Sequence, residues 1–276
     1  MNKRQQKYFA LIDIIEMTHD WHFGGHYLDV PYYQFFFKLF AEGLAENTVI
    51  LFFSDHGIRF GPLRETHSGE IEGRLPFMFI RLPDNTDQTY VEHMKRNQYH
   101  LTTHFDVHAT LIHLLYNKPD LHLPYGRSLI GGVFNRNRDC TAAAIPQIYC
   151  PCFEDRPVLD YEVIHPNETI PEILSTINFY SENYRKECVE YKFEKIHRIY
   201  NRVNQRYQGK SDSKLYIVHV YVNPGMALFE MLVEGREGNT GFNVNIDFAR
   251  INKYGNQSHC IDDKFIKNLC FCRDLL

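Results

Sequence analysis

Apolar positions recur at helical spacing through residues 3–17, which predicts an amphipathic helix at the start of the chain. A Gly- and His-rich stretch, THDWHFGGHYL over 18–28, reads as a loop. DVPYYQFFFKLFAEGL follows as a second helix, with Asp29 as its cap, Pro31 in its first turn and Gly43 loosening its end. TVILFFS (48–54) is a short continuous apolar run rich in β-formers, the pattern of a buried parallel strand. LPFMFIRLP, from Leu75 to Pro83, predicts a second strand of that kind. NQYHLTTHFDVHATLIHLLYN then predicts a helix starting near Thr103, with Asp106 in its first turn.

Beyond residue 126 the pattern changes. GRSLIGGVFNRNRDC and PQIYCPCFEDRP are irregular, and the 166–203 stretch from PNETIPEIL to IHRIYNRV reads as helix for most of its length. Three strand-like runs close the chain: KLYIVHVYV, ALFEMLVEG and GFNVNIDFARI. Alternation in YIVHVYV and FNVNIDF predicts an antiparallel sheet exposed on one face. The expected organisation is an α/β domain over residues 1–135, with a mixed sheet flanked by helices. A smaller, cysteine-containing α+β region is expected over 136–276.

Composition narrows the class. The chain has 276 residues, a formal net charge of −4 and no run of Lys and Arg, which argues against a nucleic-acid partner. No stretch has the apolar length that a bilayer requires. The first residues, MNKRQQKYFALIDIIEMTHD, carry Asp13 and Glu16 where a signal peptide needs an uninterrupted apolar core. All seven cysteines fall in the second half: Cys140, Cys150, Cys152, Cys188, Cys260, Cys270 and Cys272. Such clustering predicts disulfides, and hence an extracellular or secretory-lumen setting, with a zinc knot as the rival. An odd count leaves one thiol free or paired elsewhere. Asn167 and Asn256 open N-x-S/T triplets and are candidate glycosylation positions.

The candidate chemistry lies where TVILFFS ends in Asp55-His56-Gly57. Ligands of open α/β sheets gather at strand ends. A carboxylate and an imidazole are natural donors for zinc, and the carboxylate also suits manganese, magnesium or calcium. His19, Asp20, His22 and His26 form a second group of donors in the first loop. Arg59, Arg64 and Arg74 are cations suited to phosphate or sulfate oxygens. His100, His104, His108 and His113 are read as structural, with His104 held in reserve because it stands near a helix start.

The stretch NTVILFFSDHGIRFGPLRETHSGEIEGRLPFMFIRLP resembles the DUF229 family, uncharacterised animal proteins of the alkaline phosphatase and sulfatase superfamily. His19-Asp20, LTTHFDVHATL, GRSL and RDCTAAAIPQIYCPCF extend the resemblance over most of the chain. Gly73 departs from it, standing where the family usually carries an acidic residue. The resemblance implies an alkaline phosphatase-like fold, present in part, with Asp55, His56 and Asp20 on a divalent metal, foremost zinc. It implies His19 or His67 in proton transfer, and Arg59 and Arg64 facing an anionic ester, glycan or lipid. The family's nucleophile lies upstream of the Asp-His pair, and no segment of this chain matches it. The expectation is therefore an incomplete hydrolase, weakly active or inactive, with a non-catalytic extracellular binding protein on the same scaffold as the alternative.

Overall fold

The structure is a computed structural model that describes residues 7–19, 21, 23–118, 123–204, 214–235 and 241–276. The chain divides into two compact units. The first comprises Met1–Ile58 and Leu75–Arg138; the second comprises Arg59–Arg74 and Asp139–Leu276.

In the first unit the expected N-terminal amphipathic helix is helical only at α1, Glu16–His19, among the described residues. Helix α2 spans Gly24–Ala41 and begins inside the stretch read as a loop, so Pro31 lies within it rather than in its first turn. Gly24 is required there: a Cβ at this position would run into the Met17 carbonyl. Of the two glycines that looked like a helix breaker, Gly24 marks a close approach, and Gly25 has open space around it. Gly43, at φ +69°, follows the helix end as expected.

Strands β1 (Ile50–Phe53) and β2 (Met78–Arg81) form where the two apolar runs predicted them. They pair antiparallel, from Ile50 opposite Arg81 to Phe53 opposite Met78, which corrects the expectation of parallel strands. A parallel pair needs a crossover packed on its own sheet. Here the intervening segment 59–74 belongs to the other unit, and the chain returns in the opposite sense. Helix α2 covers β1 through aromatic contacts of Phe52 with Tyr32 and Phe36, at 5.1 and 5.5 Å between ring centroids.

Helix α4 (Gln88–Asn97) is capped by Asp87, and α5 (His104–Tyr116) carries the expected start. Thr103 and Asp106 form a reciprocal capping box. Asp106 is fully buried and receives Arg138 through two bonds of 2.8 and 2.9 Å, together with the Arg127 backbone N–H. The buried Asn97 amide donates to the Leu129 and Gly132 carbonyls, and its oxygen accepts from the Phe134 N–H. His113 bonds Ser128 at 2.8 Å, which agrees with the structural role read for it.

The second unit is built on a five-stranded sheet in the order β3-β4-β5-β6-β7, every neighbour antiparallel. Its strands are β3 (Phe153–Val158), β4 (Lys192–Asn204), β5 (Leu215–Asn223), β6 (Ala227–Gly235) and β7 (Phe242–Arg250). No mixed sheet occurs among the described residues, and the larger sheet lies in the C-terminal part. The long helix expected over 166–203 ends at Tyr180 as α6, Pro166–Tyr180, and its last third is β4.

Helix α6 packs Ile170, Ile173 and Ile177 on one face of the sheet, against Val218, Val220, Phe229 and Met231. β5 and β6 are buried along nearly their whole length, so the expectation of a one-sided sheet fails at its centre. The opposite face combines Ile148, Tyr200, Ile217 and Leu232 with charged residues that meet α3, His67–Arg74. A short helix, α7 (Lys264–Lys267), lies in the C-terminal segment. That segment is stapled by Cys188–Cys270 and Cys260–Cys272, and Cys140–Cys150 closes a further loop. Disulfides are thus the outcome for six of the seven cysteines, and Cys152 is free.

Candidate functional site

Two constellations concentrate donor atoms, one in each unit. In the first, β1 ends at Phe53, and Ser54 continues the pairing by donating its N–H to the Phe77 carbonyl. The chain then turns, and Asp55 accepts the His56 backbone N–H on Oδ1 at 2.8 Å. This local bond folds the carboxylate back over the next residue. Asp55 Oδ2 and His56 Nε2 come to 3.2 Å.

His56 Nδ1 lies 2.6 Å from the Gly57 carbonyl. A carbonyl only accepts, so Nδ1 carries the proton. A neutral ring in that tautomer then points a lone pair at a carboxylate oxygen. Either a proton on Nε2 or a cation shared by both atoms removes the repulsion. The spacing fits both: 3.2 Å is within reach of an N–H···O bond, and adjacent donors of a tetrahedral zinc, with bonds of about 2.0–2.1 Å, stand roughly 3.3–3.4 Å apart. The Asp55 side chain is 83% exposed and His56 33%, so a hydrated ion can reach both. His104, at the start of α5, lies near the same strand end with Nε2 2.9 Å from the Ser54 carbonyl. No third His, Cys, Asp or Glu completes a close donor set with the pair among the described residues.

The second constellation is buried. His219 on β5 stands opposite Glu230 on β6. Its Nε2 is 3.0 Å from Glu230 Oε2 and 3.1 Å from Glu70 Oε1 on α3. Arg64 donates to both oxygens of Glu230 at 2.9 and 3.0 Å. Arg74 reaches Glu230 at 3.2 Å and Asp155 at 2.7 Å. Arg202 holds Asp155 by two bonds of 2.7 and 2.8 Å.

Burial opposes ionisation of Glu230, but Arg64, Arg74 and His219 overcome it and hold the carboxyl well below its usual range. Burial also opposes charge on His219, yet its bonds to Glu230 and Glu70 raise it above the ordinary value. Asp155 is lowered against its own burial by Arg202 and Arg74. Burial works against the Arg74 charge, and Glu230 and Asp155 reverse that and raise it.

Glu70, His219 and Glu230 bring three donor atoms within 4.8 Å of one another, a geometry that could ligate a metal. The charges already there fit it less well. Two guanidinium groups contact Glu230, and His219 Nε2 points between two carboxylates as a donor does. The sulfur-containing groups, Cys140-Cys150-Cys152, Cys188-Cys260-Cys270 and His259-Cys272-Asp274, are close-packed as well. Disulfide sulfurs are not thiolates, and the thiolate is the metal ligand.

The residues singled out from the sequence therefore separate. Asp55 and His56 meet. His19 ends α1 on the surface, and Asp20 and His22 lie outside the described residues. Arg59, Arg64 and His67 belong to the second unit. Arg59 is exposed, whereas Arg64 is buried and bound to Glu230. His67 is half-exposed, stacks on Tyr200 and places Nδ1 3.6 Å from Glu70. Asn167 and Asn256 are both exposed.

Sequence reasoning passed over His219 and Glu230. The available signal was a single ionisable residue in each of two apolar runs, YIVHVYV and ALFEMLV. A charge in a strand buried on both faces needs a partner.

These features define a mixed α/β protein with a five-stranded antiparallel sheet, flanking helices, candidate donor clusters and a disulfide-bonded C-terminal region. The chain belongs to the family described as "Protein of unknown function (DUF229)", whose model matches residues 1–197. No curated protein matches the chain, and no solved structure does. The disulfides suit an oxidising, secretory or extracellular environment. No described helix is long and apolar enough to cross a membrane.

Proposed function

We propose that the chain carries the metal-holding part of a phosphate- or sulfate-ester hydrolase related to the alkaline phosphatases. The observation behind this reading is the Asp55–His56 pair, two donors 3.2 Å apart at an exposed strand end. In this reading Asp20 and water complete the coordination of a divalent ion, zinc foremost. A bound ion would neutralise the non-bridging oxygens of the ester. His56 is oriented by its Nδ1 bond to Gly57, as ligating histidines are held by their other nitrogen. His19, which belongs to the same unit as the pair, would supply a proton to a leaving group.

Arg64 bears on the alternative. Its guanidinium is buried and engaged by Glu230 within the second unit, so it is not a free cation for an ester oxygen. That weakens turnover and favours a non-catalytic extracellular binder that keeps the metal.

Metal content and hydrolysis distinguish these readings. The purified chain is equilibrated with zinc, manganese or magnesium, and bound metal is measured beside cleavage of aryl phosphate and aryl sulfate. Asp55→Asn and His56→Ala should each lose at least tenfold in metal affinity, while Glu70→Gln leaves it unchanged. Metal binding without turnover selects the binder. Unchanged metal content in both Asp55 and His56 variants defeats the proposal.

A further inference from the structure

Cys152 does not stand apart from the disulfides. Its sulfur lies 3.8 Å from Cys140 Sγ, and Cys140 is already bonded to Cys150. All three sulfurs lie within 4.8 Å of one another. Cys140 and Cys150 are almost wholly buried, at 2% and 3% exposure, whereas Cys152 is partly open to solvent. A thiol in van der Waals contact with a disulfide sulfur that external thiols cannot easily reach has only to swing into line with the S–S bond for internal exchange.

We propose that Cys140, Cys150 and Cys152 form a thiol–disulfide exchange centre in which the crosslink migrates along the Cys-Pro-Cys segment. Cys152 loses its proton to solvent, and the thiolate attacks Cys140 Sγ. The Cys140–Cys152 bond forms as the Cys140–Cys150 bond breaks, and the departing Cys150 thiolate takes up a proton. One disulfide and one thiol are present before and after, so no oxidant or reductant is consumed. The two crosslinks close loops of 10 and 12 residues, so loop entropy favours neither appreciably. The reaction is intramolecular, which supplies proximity that a solution thiol lacks.

Exchange has two consequences. It withdraws the reactive thiol from the partly open Cys152 to the buried Cys150. It also moves the tether to the residue directly before β3, the strand whose Asp155 binds Arg74 and Arg202. The second Cys-x-Cys segment provides a contrast. Cys260 and Cys270 also lie 3.8 Å apart, but all four sulfurs there are paired. Without a thiolate to start exchange, those crosslinks stay fixed.

The test uses the full chain. It is held at pH 8 without added thiol, quenched in acid, unfolded, alkylated with N-ethylmaleimide in acid and digested with pepsin, and its crosslinks are mapped by mass spectrometry. Wild type should show Cys140 joined partly to Cys150 and partly to Cys152, with alkylation on both alternates and no mixing of the other two disulfides. Cys152→Ser should show Cys140–Cys150 alone, and Cys150→Ser should show Cys140–Cys152 with no free thiol. Alkylation confined to Cys152 at every time point, two free thiols in Cys150→Ser, or Cys152 crosslinked to another chain would each overturn the proposal.

Discussion

Glu230 carries more of the second unit's electrostatics than any other carboxylate described. It is fully buried and contacts Arg64, Arg74 and His219. Replacing it with Gln keeps the shape and removes the charge, which leaves the buried Arg64 without its close counter-ion and Arg74 with Asp155 alone. Breaking one side of a buried ion pair costs about 3–5 kcal/mol. Urea unfolding of Glu230→Gln should show a loss of that size. Asp55→Asn should leave the midpoint where it was, because that side chain is largely exposed. A small effect at Glu230 would mean that solvent reaches the network. The contrast also marks what could be read in advance. Asp55-His56 announces itself as two ionisable residues ending an apolar run, and the structure does bring them into contact. The partners of Arg64 could not be read the same way. Glu230 lies 166 residues away, and only the folding of α3 onto β5 and β6 brings the two together.

At the scale of elements, local rules succeeded where the determinant is local. Helix α5 starts at Thr103 because its hydroxyl meets the Phe105 N–H and Asp106 answers the Thr103 N–H. Thr103→Ala removes one half of that box and should cost about 1 kcal/mol, as cap losses generally do. Asp106→Ala should cost several times more, since Asp106 also holds Arg138 and the Arg127 backbone. Chemical denaturation of the two variants compares them directly, and equal losses would mean that the cap alone matters. β4 shows why period reading fails. Its register shifts between Phe193 and Lys195 and again between Ile196 and Arg198. Each bulge inserts a residue, so apolar positions fall at 193, 196 and 199. Spacing of that kind imitates a helix, and only the pairing with β5 reveals the strand. β1 and β2 were legible as strands but not in direction, because the excursion of segment 59–74 to another unit leaves no local mark.

For the whole molecule, the buried charges set a pH window. His219 has a folded pKa above its ordinary value of 6.5. It therefore contributes stability fully below that value and loses it as pH rises through the higher folded pKa. Glu230 and Asp155 are lowered from 4.5 and 3.8, so their contributions hold above those values and fade as pH falls through the depressed ones. Stability should thus be greatest between about pH 4.5 and 6.5 and decline on the alkaline side first. Two other histidines bear on that limb. His197 is lowered, chiefly by burial and then by Arg198, so it favours the folded state more as pH rises and works against the trend. His259 is raised by the Asn256 carbonyl and by Asp274, but it is exposed and solvent screens the pair. His219→Gln separates these contributions, because Gln cannot titrate. Unfolding free energy measured from pH 4 to pH 9 should fall above pH 6.5 in the wild type and flatten there in the variant, while the acid limb shrinks because His219 is one of the groups that hold Glu230 low. An alkaline limb that survives in His219→Gln would assign the loss to another group and remove the imidazolium from the centre of the network.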